Sequence, residues 1–249
     1  MFNIKNKLIQ LFIIAKNFFS NLKANSYEKS FIKTCKNYNF STTPEYHLWH
    51  TLDLFKKINK NQIHGDFVEC GVWKGIYLVF FQKLIENYNL KNCKIYGYDT
   101  FEGTPLPSKF DFDKKGNSLI NKYYDVRINE STSGWNNSSL RDVKSNYSKN
   151  TKPNDNLFLI KGKVEETLLD KSNLPEKISI LKLDVNLYGG TKASLEALFS
   201  KVQKDGIIII DNYSNYKGIK KATDNFFSSN TCTTKHYSIA DRVVVLKKE

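Results

Sequence analysis

The sequence predicts an α/β protein: a mostly parallel sheet, helices on both faces, and an antiparallel hairpin at the C-terminal edge. Three observations lead there. Short apolar runs of strand length alternate with stretches of helical periodicity, the pattern of strand–helix–strand units whose sheet is covered on both faces. The 249 residues, 40% apolar, 14% aromatic and 25% charged, suit one large folded core and not a disordered or fibrous chain. Acidic or amide side chains close several of the apolar runs, where a parallel sheet presents ligand-binding groups.

Residues 1–64 are expected to form an N-terminal helical region. Near its start, Lys5, Lys7 and Lys16 are set among Leu8, Ile9, Leu11, Phe12, Ile13, Ile14, Phe18 and Phe19. The unbroken apolar stretch is shorter than the about 20 residues a bilayer span needs. No small-residue cleavage site follows it. An amphipathic helix over residues 1–23 is left, either docked on the body or lying on a membrane surface.

Residues 65–249 are expected to form the main domain. Strands are expected at 66–70, 94–98, 157–160, 178–183, 206–210 and 243–246, each a short apolar run. Helical periodicity falls at 76–86, 191–202 and 217–227. The runs 235–238 and 242–246 are close enough to pair as an edge hairpin. One interval, about 101–156, breaks the rhythm. It carries Gly103, Pro105, Pro107, Gly116, Gly134 and an Asn/Ser-dense run at 131–139, far more chain than a crossover needs. Its Phe110, Phe112, Tyr123, Tyr124 and Trp135 argue against disorder, so a lid over the substrate is expected. The architecture is Rossmann-like.

Composition narrows the function classes. The 38 Lys+Arg against 25 Asp+Glu give a net charge of +13. The excess is nearly all lysine and is dispersed, unlike the concentrated arginine-rich stripe of nucleic-acid proteins, so no nucleic-acid partner is expected. Cys35, Cys70, Cys93 and Cys232 lie far apart without a C-x-x-C pair. That excludes a disulfide scaffold and a cysteine zinc site, and fits reduced thiols. The expected location is cytoplasmic, or peripheral to the inner face of the cell membrane should the N-terminal helix lie on it. No G-x-x-x-x-G-K-[ST] string is present, so a P-loop is excluded.

The chemistry begins at residues 67–75. Phe67-Val68-Glu69-Cys70-Gly71 is an apolar strand carrying an acid and ending in a tight turn, and Gly75 precedes a helix. Free N–H groups at that helix start suit an anion or carboxylate. A dinucleotide fingerprint would place glycine where Trp73 stands, and that glycine admits a pyrophosphate. A nicotinamide cofactor is thereby disfavoured. S-adenosylmethionine (SAM) has no pyrophosphate and needs only the turn, the N–H groups and an acid such as Glu69. Asp99 ends the second strand at the spacing of a ribose-binding carboxylate, or caps the turn before Thr100. After the third strand, residues 161–168 carry Glu165 where adenine-side contacts would lie, or a charged helix start. Asp184 ends the fourth strand, and Asp211 and Asn212 the fifth. Two carboxylates and an amide oxygen at one sheet edge suit Mg2+, although either acid also reads as a helix cap.

Four strings together resemble a family. D-F-V-E-C-G-V-W-K-G (66–75), Y-D-T-F-E-G-T-P (98–105), L-D-V-N-L-Y-G-G-T (183–191) and I-D-N-Y (210–213) look like the macrocin-type sugar O-methyltransferases, class I enzymes dependent on SAM and magnesium. The resemblance runs from about residue 65 to the C-terminus. It implies that Glu69 and Gly71 hold the methionine part of SAM and Asp99 its ribose, with Cys70, Gly75, Thr100 and Glu165 also binding the cofactor. Asp184, Asp211 and Asn212 would ligate Mg2+, and Asp184 and Tyr188 would act in catalysis. A sugar or glycan acceptor and a homo-oligomer are implied as well. The family usually shows D-G-D-x-Y and D-D-Y, so Asn186 and Asn212 replace carboxylates here, which weakens affinity for the metal. No histidine falls in the insertion or beside the metal strings; His47 and His50, one helical turn apart beside Trp49, could enter the site from the N-terminal helix, although they read more readily as packing. The alternatives are a noncatalytic protein that keeps the SAM fold, and an NAD-dependent oxidoreductase.

Overall fold

A computed structural model of the chain describes residue 15 and residues 19–37, 43–130, 132–229 and 234–247. Helices α1 (Ser26–Asn37) and α2 (Glu45–Lys60) precede β1 (Asp66–Cys70), α3 (Ile76–Tyr88) and β2 (Ile95–Asp99). The long insertion holds α4 (Leu119–Asp125) and α5 (Leu140–Asn150). Then follow β3 (Leu157–Lys161), α6 (Val164–Thr167), β4 (Ile178–Leu183), α7 (Tyr188–Leu198), β5 (Val202–Ile210), α8 (Lys217–Ser229) and the hairpin β6 (Thr234–Ile239) and β7 (Arg242–Lys247).

The strands form one sheet in the order β3-β2-β1-β4-β5-β7-β6. The first five are parallel; β7 runs antiparallel to β5, and β6 to β7. The order reverses between β1 and β4, the switch point where open α/β sheets bind ligands. Alternation along β1 divides the core: Phe67 joins the layer of α1, α2 and α3, and Val68 joins the layer of α6, α7 and α8. Both layers are closed, which is why the inner strands read as unbroken apolar runs.

Every expected strand is present, with one shift. β5 begins at Val202 and not at 206, and the helix expected to reach 202 ends at Leu198 in a short 3-10 turn, Phe199–Lys201. Ile178 pairs with Val202 but Ile180 with Ile207, so the β5 chain bulges, and Asp205 takes φ 61 in the bulge. Polar Lys204 and Asp205 hid these residues from an apolar-run reading.

The N-terminal helices share the core of the sheet. Phe31, Trp49 and Phe55 pack with Phe67, Phe80 and Phe81. Asn25 and Glu28 exchange side-chain-to-backbone bonds of 2.8 Å, a capping box that starts α1. Most of the amphipathic helix expected at 1–23 lies outside the described residues. Its described end, 19–23, is helical, and Ser20 donates to Asp53 on α2 at 2.6 Å, a docked contact. Among the described residues no helix is long and apolar enough to cross a membrane. Cys232 also lies outside the described residues.

The insertion is latched to the body. Asp111, buried within it, accepts from Ser108 N (2.7 Å) and Oγ (2.6 Å) on one oxygen and from Tyr188 N (2.7 Å) on the other. It thereby supplies the N-terminal cap that α7 lacks in its own sequence. On the far side, Val143 of α5 is fully buried, and Tyr147 donates to Gln82 of α3 at 3.0 Å.

Candidate active site

Three main-chain bonds carry the sheet ladder one residue past the strands: Gly71 N to Tyr98 O, Asp184 N to Cys70 O, and Asp211 N to Leu183 O, at 2.8, 2.8 and 2.9 Å. They set Gly71, Asp184 and Asp211 side by side at the C-terminal edge. Gly71 has φ +87, and a Cβ there would stand 2.3 Å from the Asp184 carbonyl oxygen. Only glycine meets both demands. Gly71→Ala is therefore expected to destabilise the fold by at least about 2 kcal/mol and to spoil ligand binding at the turn. A denaturant midpoint equal to wild type would contradict this.

Asp99 holds the turn rigid. One carboxylate oxygen accepts from Val72 N (2.7 Å) and Trp73 N (2.9 Å), and the other from Phe101 N (2.8 Å). Trp73 itself takes φ 48. The acid thus caps the loop and also lines the cavity.

A cavity of about 390 Å³ lies along this edge, within the size range of small-molecule sites. Gly71 and Trp73 line it after β1, Asp99 and Thr100 after β2, and Gly162 to Glu165 after β3. Asp184 and Asn186 follow β4, and Asp211 and Asn212 follow β5. Lys122 and Trp135 of the insertion close one wall, as a lid would, with the ammonium 3.9 Å from the indole centroid.

Seven of the expected site residues face this cavity: Gly71, Asp99, Thr100, Glu165, Asp184, Asp211 and Asn212. Four do not. Cys70 is buried in the core between β1 and α7. Gly75 caps α3. Tyr188 gives its N–H to Asp111 and packs its ring 4.7 Å from Phe110. Glu69 points into the sheet, where its carboxylate lies 3.1 Å from Lys182 Nζ. Alternation along β1 sends Glu69 and Cys70 to opposite faces of the sheet, and each is held inside the strand, short of the edge where the turn lies.

Lys182 is the centre of a buried charge cluster. Its ammonium, 1% exposed, also lies 2.8 Å from Asp184 Oδ2 and 2.9 Å from Asp211 Oδ2. Arg242, wholly buried, forks onto both oxygens of Asp211. Burial alone would lower the Lys182 pKa, yet the three surrounding carboxylates hold it well above the ordinary lysine value. Burial pushes Glu69 up to about 8 and Asp184 up to about 6, against the pull of Lys182. Asp211 goes the other way: burial opposes it, but Arg242 and Lys182 hold it far below the usual carboxylate range. The signal for this cluster was a lysine inside the apolar run Ile-Ser-Ile-Leu-Lys-Leu, since a buried ammonium demands anions.

The fit to a divalent cation differs from the expected ligand set. Both oxygens of Asp211 are engaged by Arg242, and one also by Lys182. Among the described residues no three His, Cys, Asp or Glu side chains group as metal ligands. The amides change the balance. Asn212 Nδ2 donates to Asp184 Oδ1 at 3.2 Å and to Asn186 Oδ1 at 2.9 Å, so three oxygen-bearing side chains meet at one point. Exchanging the Asn212 amide atoms makes that point a cluster of three oxygens. One carboxylate with amide oxygens, leaving room for water and hydroxyls, is donor chemistry that suits Mg2+. Asn186 and Asn212 take φ 63 and 58, left-handed conformations that asparagine tolerates.

Two further cavity residues lie outside the expected site set. His47 of α2 and Asp241 of the β6–β7 turn both line the wall near Asp211.

The chain has counterparts among known proteins. It is 25% identical over 175 residues to the mycinamicin III 3''-O-methyltransferase of Micromonospora griseorubida, a match covering 66% of this chain and 65% of that one. It is 25% identical over 152 residues to a Streptomyces olivaceus protein, the 8-demethyl-8-(2,3-dimethoxy-alpha-L-rhamnosyl)-tetracenomycin-C 4'-O-methyltransferase, covering 61% and 54%. The matched part thus spans just under two thirds of the first relative and about half of the second. In fold, it is similar to the O-methyltransferase NovP, with a TM-score of 0.72 at 19% identity, covering 84% and 83% of the two chains. The sequence profile described as macrocin O-methyltransferase (TylF) matches residues 36–248, and with that match over most of its length the chain belongs to the macrocin O-methyltransferase family.

Proposed function

We propose that this protein is a SAM-dependent O-methyltransferase that acts on a sugar hydroxyl during glycan or surface-polysaccharide assembly. The observation that carries the reading is one cavity that joins the Gly71–Trp73 turn to the Asp184–Asn212 oxygen cluster across the switch point. A methyl donor at the turn and a hydroxyl at the cluster would stand face to face. Family membership supports the cofactor, and the name of the rhamnosyl-bearing relative supports a sugar acceptor.

SAM supplies an electrophilic methyl group on a sulfonium. The chain's task is then positioning. Asp99 fixes the turn, Gly71 lets a ligand approach the backbone, and Thr100 and Glu165 extend the wall toward β3. The insertion, held by Asp111, excludes water from the outer side. Asp184, Asn186 and Asn212 would hold a divalent cation, whose chemistry is to orient adjacent hydroxyls and make one more acidic. In this reading Asp211 serves from behind, fixing Lys182 and Arg242.

Titration calorimetry with SAM, with NAD as the control, tests the cofactor. Binding of SAM at a Kd of about 1 μM, near −8 kcal/mol, with no heat from NAD is the expected result. No SAM binding by the full chain overturns the reading.

A further inference from the structure

The methylated oxygen must lose a proton, and the insertion offers no histidine for it. We propose that His47, carried in from the N-terminal helix α2, is the general base of this active site and that Asp241 orients it. This rests on the methyltransferase reading above and adds to it the residue that takes the proton.

The geometry places His47 at the cavity wall shared with Asp184 and Asn212. Its Nε2 lies 3.2 Å from Asp241 Oδ1. Asp241 is itself fixed, because its other oxygen accepts from Asn215 Nδ2 at 3.0 Å. The imidazole therefore faces an acid that is itself held in place, at the cavity wall it shares with the oxygen cluster. The first turn of α2 is anchored independently: Arg242 donates from Nη1 to the His47 carbonyl at 3.2 Å while forking onto Asp211. The Tyr46 ring stands edge-on to the imidazole, centroids 4.4 Å apart. An imidazole that lines the cavity and stands beside a fixed carboxylate is the pairing general-base catalysis uses.

The charged and titratable groups facing His47 come from every neighbouring element. Asp241 and Arg242 belong to the hairpin, Asp211 ends β5, Tyr46 lies on α2 itself, and Tyr77 of α3 accepts from Arg242. Burial and then Arg242 lower the His47 pKa, against the opposing pull of Asp241 and Asp211. Burial and Arg242 thus favour the neutral ring, the form that accepts a proton.

The step balances. The acceptor O–H bond breaks and its proton goes to the imidazole nitrogen turned away from Asp241. The O–CH3 bond forms as the S–CH3 bond breaks, and that electron pair stays on sulfur. Asp241 stabilises the imidazolium that results.

The test uses the full chain with radiolabelled SAM and a panel of nucleoside-diphosphate deoxyhexoses as acceptors. His47→Gln is expected to lower kcat about 100- to 1,000-fold with SAM affinity within about twofold of wild type. The variant also loses the acidic limb of the pH–kcat profile. Asp241→Asn keeps the limb but moves it to lower pH, because the carboxylate no longer supports the imidazolium. Arg242 grips the carbonyl and not the ring, so the anchor survives His47→Gln, and far-UV circular dichroism checks it. Wild-type transfer matched by His47→Gln with an unchanged profile overturns the base while leaving the enzyme reading intact. No transfer by wild type to any acceptor overturns the enzyme reading itself. An NMR titration in which the His47 ring stays protonated above pH 7, or is unmoved by Asp241→Asn, overturns the dyad without needing turnover.

Discussion

Asp211→Ala is expected to destabilise the protein by about 3–5 kcal/mol, the range for breaking a buried ion pair from one side. The reason is an asymmetry among its partners. Arg242 is fully buried and cannot release its proton, so losing Asp211 strands a permanent charge in the core. Lys182 keeps Glu69 and Asp184 and suffers less. Lys182→Met, by contrast, leaves carboxylates that can protonate, since Glu69 and Asp184 already sit at about 8 and about 6. A smaller loss is expected there. For a chain of this size, the Asp211→Ala loss corresponds to a fall in Tm of roughly 10 °C. Asp211 also carries a pH signature. Its folded-state pKa is depressed, so it contributes stability in full above the ordinary carboxylate pKa, and that contribution begins to fall at about pH 4 and is lost progressively toward the lower folded-state value. Urea unfolding at neutral and acid pH separates the cases. A loss under about 1 kcal/mol at neutral pH would show that the cluster is not the structural clamp described.

Asp184→Ala is expected to act on turnover instead. Its carboxylate is 30% exposed and faces the cavity, and Lys182 retains two other anions without it. The fold should survive. The expected loss is about 100- to 10,000-fold in kcat, the range for removing a group that prepares the reacting oxygen. Stimulation by Mg2+ should vanish with it, while SAM affinity stays near wild type. Asp184→Asn keeps an oxygen at the Asn186–Asn212 point and is expected to fall between wild type and Asp184→Ala. The decisive comparison is turnover of each variant with EDTA or with excess Mg2+. Full activity of Asp184→Ala in EDTA would remove both the cation and Asp184 from the mechanism.

Much of this protein is legible without coordinates. Apolar runs at 66–70, 178–183 and 206–210 became inner strands because both faces of a covered parallel sheet must be apolar. Acids at the ends of such runs must leave the core, and the topology sends them to a shared edge. Asp99, Asp184 and Asp211 therefore reached one cavity with Gly71, whose turn only glycine can make. Local patterns of this kind depend on neighbours along the chain, and a sequence displays those directly.

Tertiary structure decided the roles. Glu69 and Asp211 look like ligand-facing acids in the sequence, but Lys182 and Arg242, distant along the chain, claim them as counterions. His47 reads in the sequence either as packing or as entering the site, and only the fold, in which α2 shares the core of the sheet, sets the ring beside Asp241, nearly two hundred residues later. The insertion is a polar excursion in sequence, and Asp111 makes it a wall by capping a helix it does not belong to. The physical difference is range. Hydrophobic periodicity and turn chemistry are local properties of the chain, whereas whether a charged side chain meets a ligand, a cation or the core depends on partners that only the folded topology brings within a few ångströms.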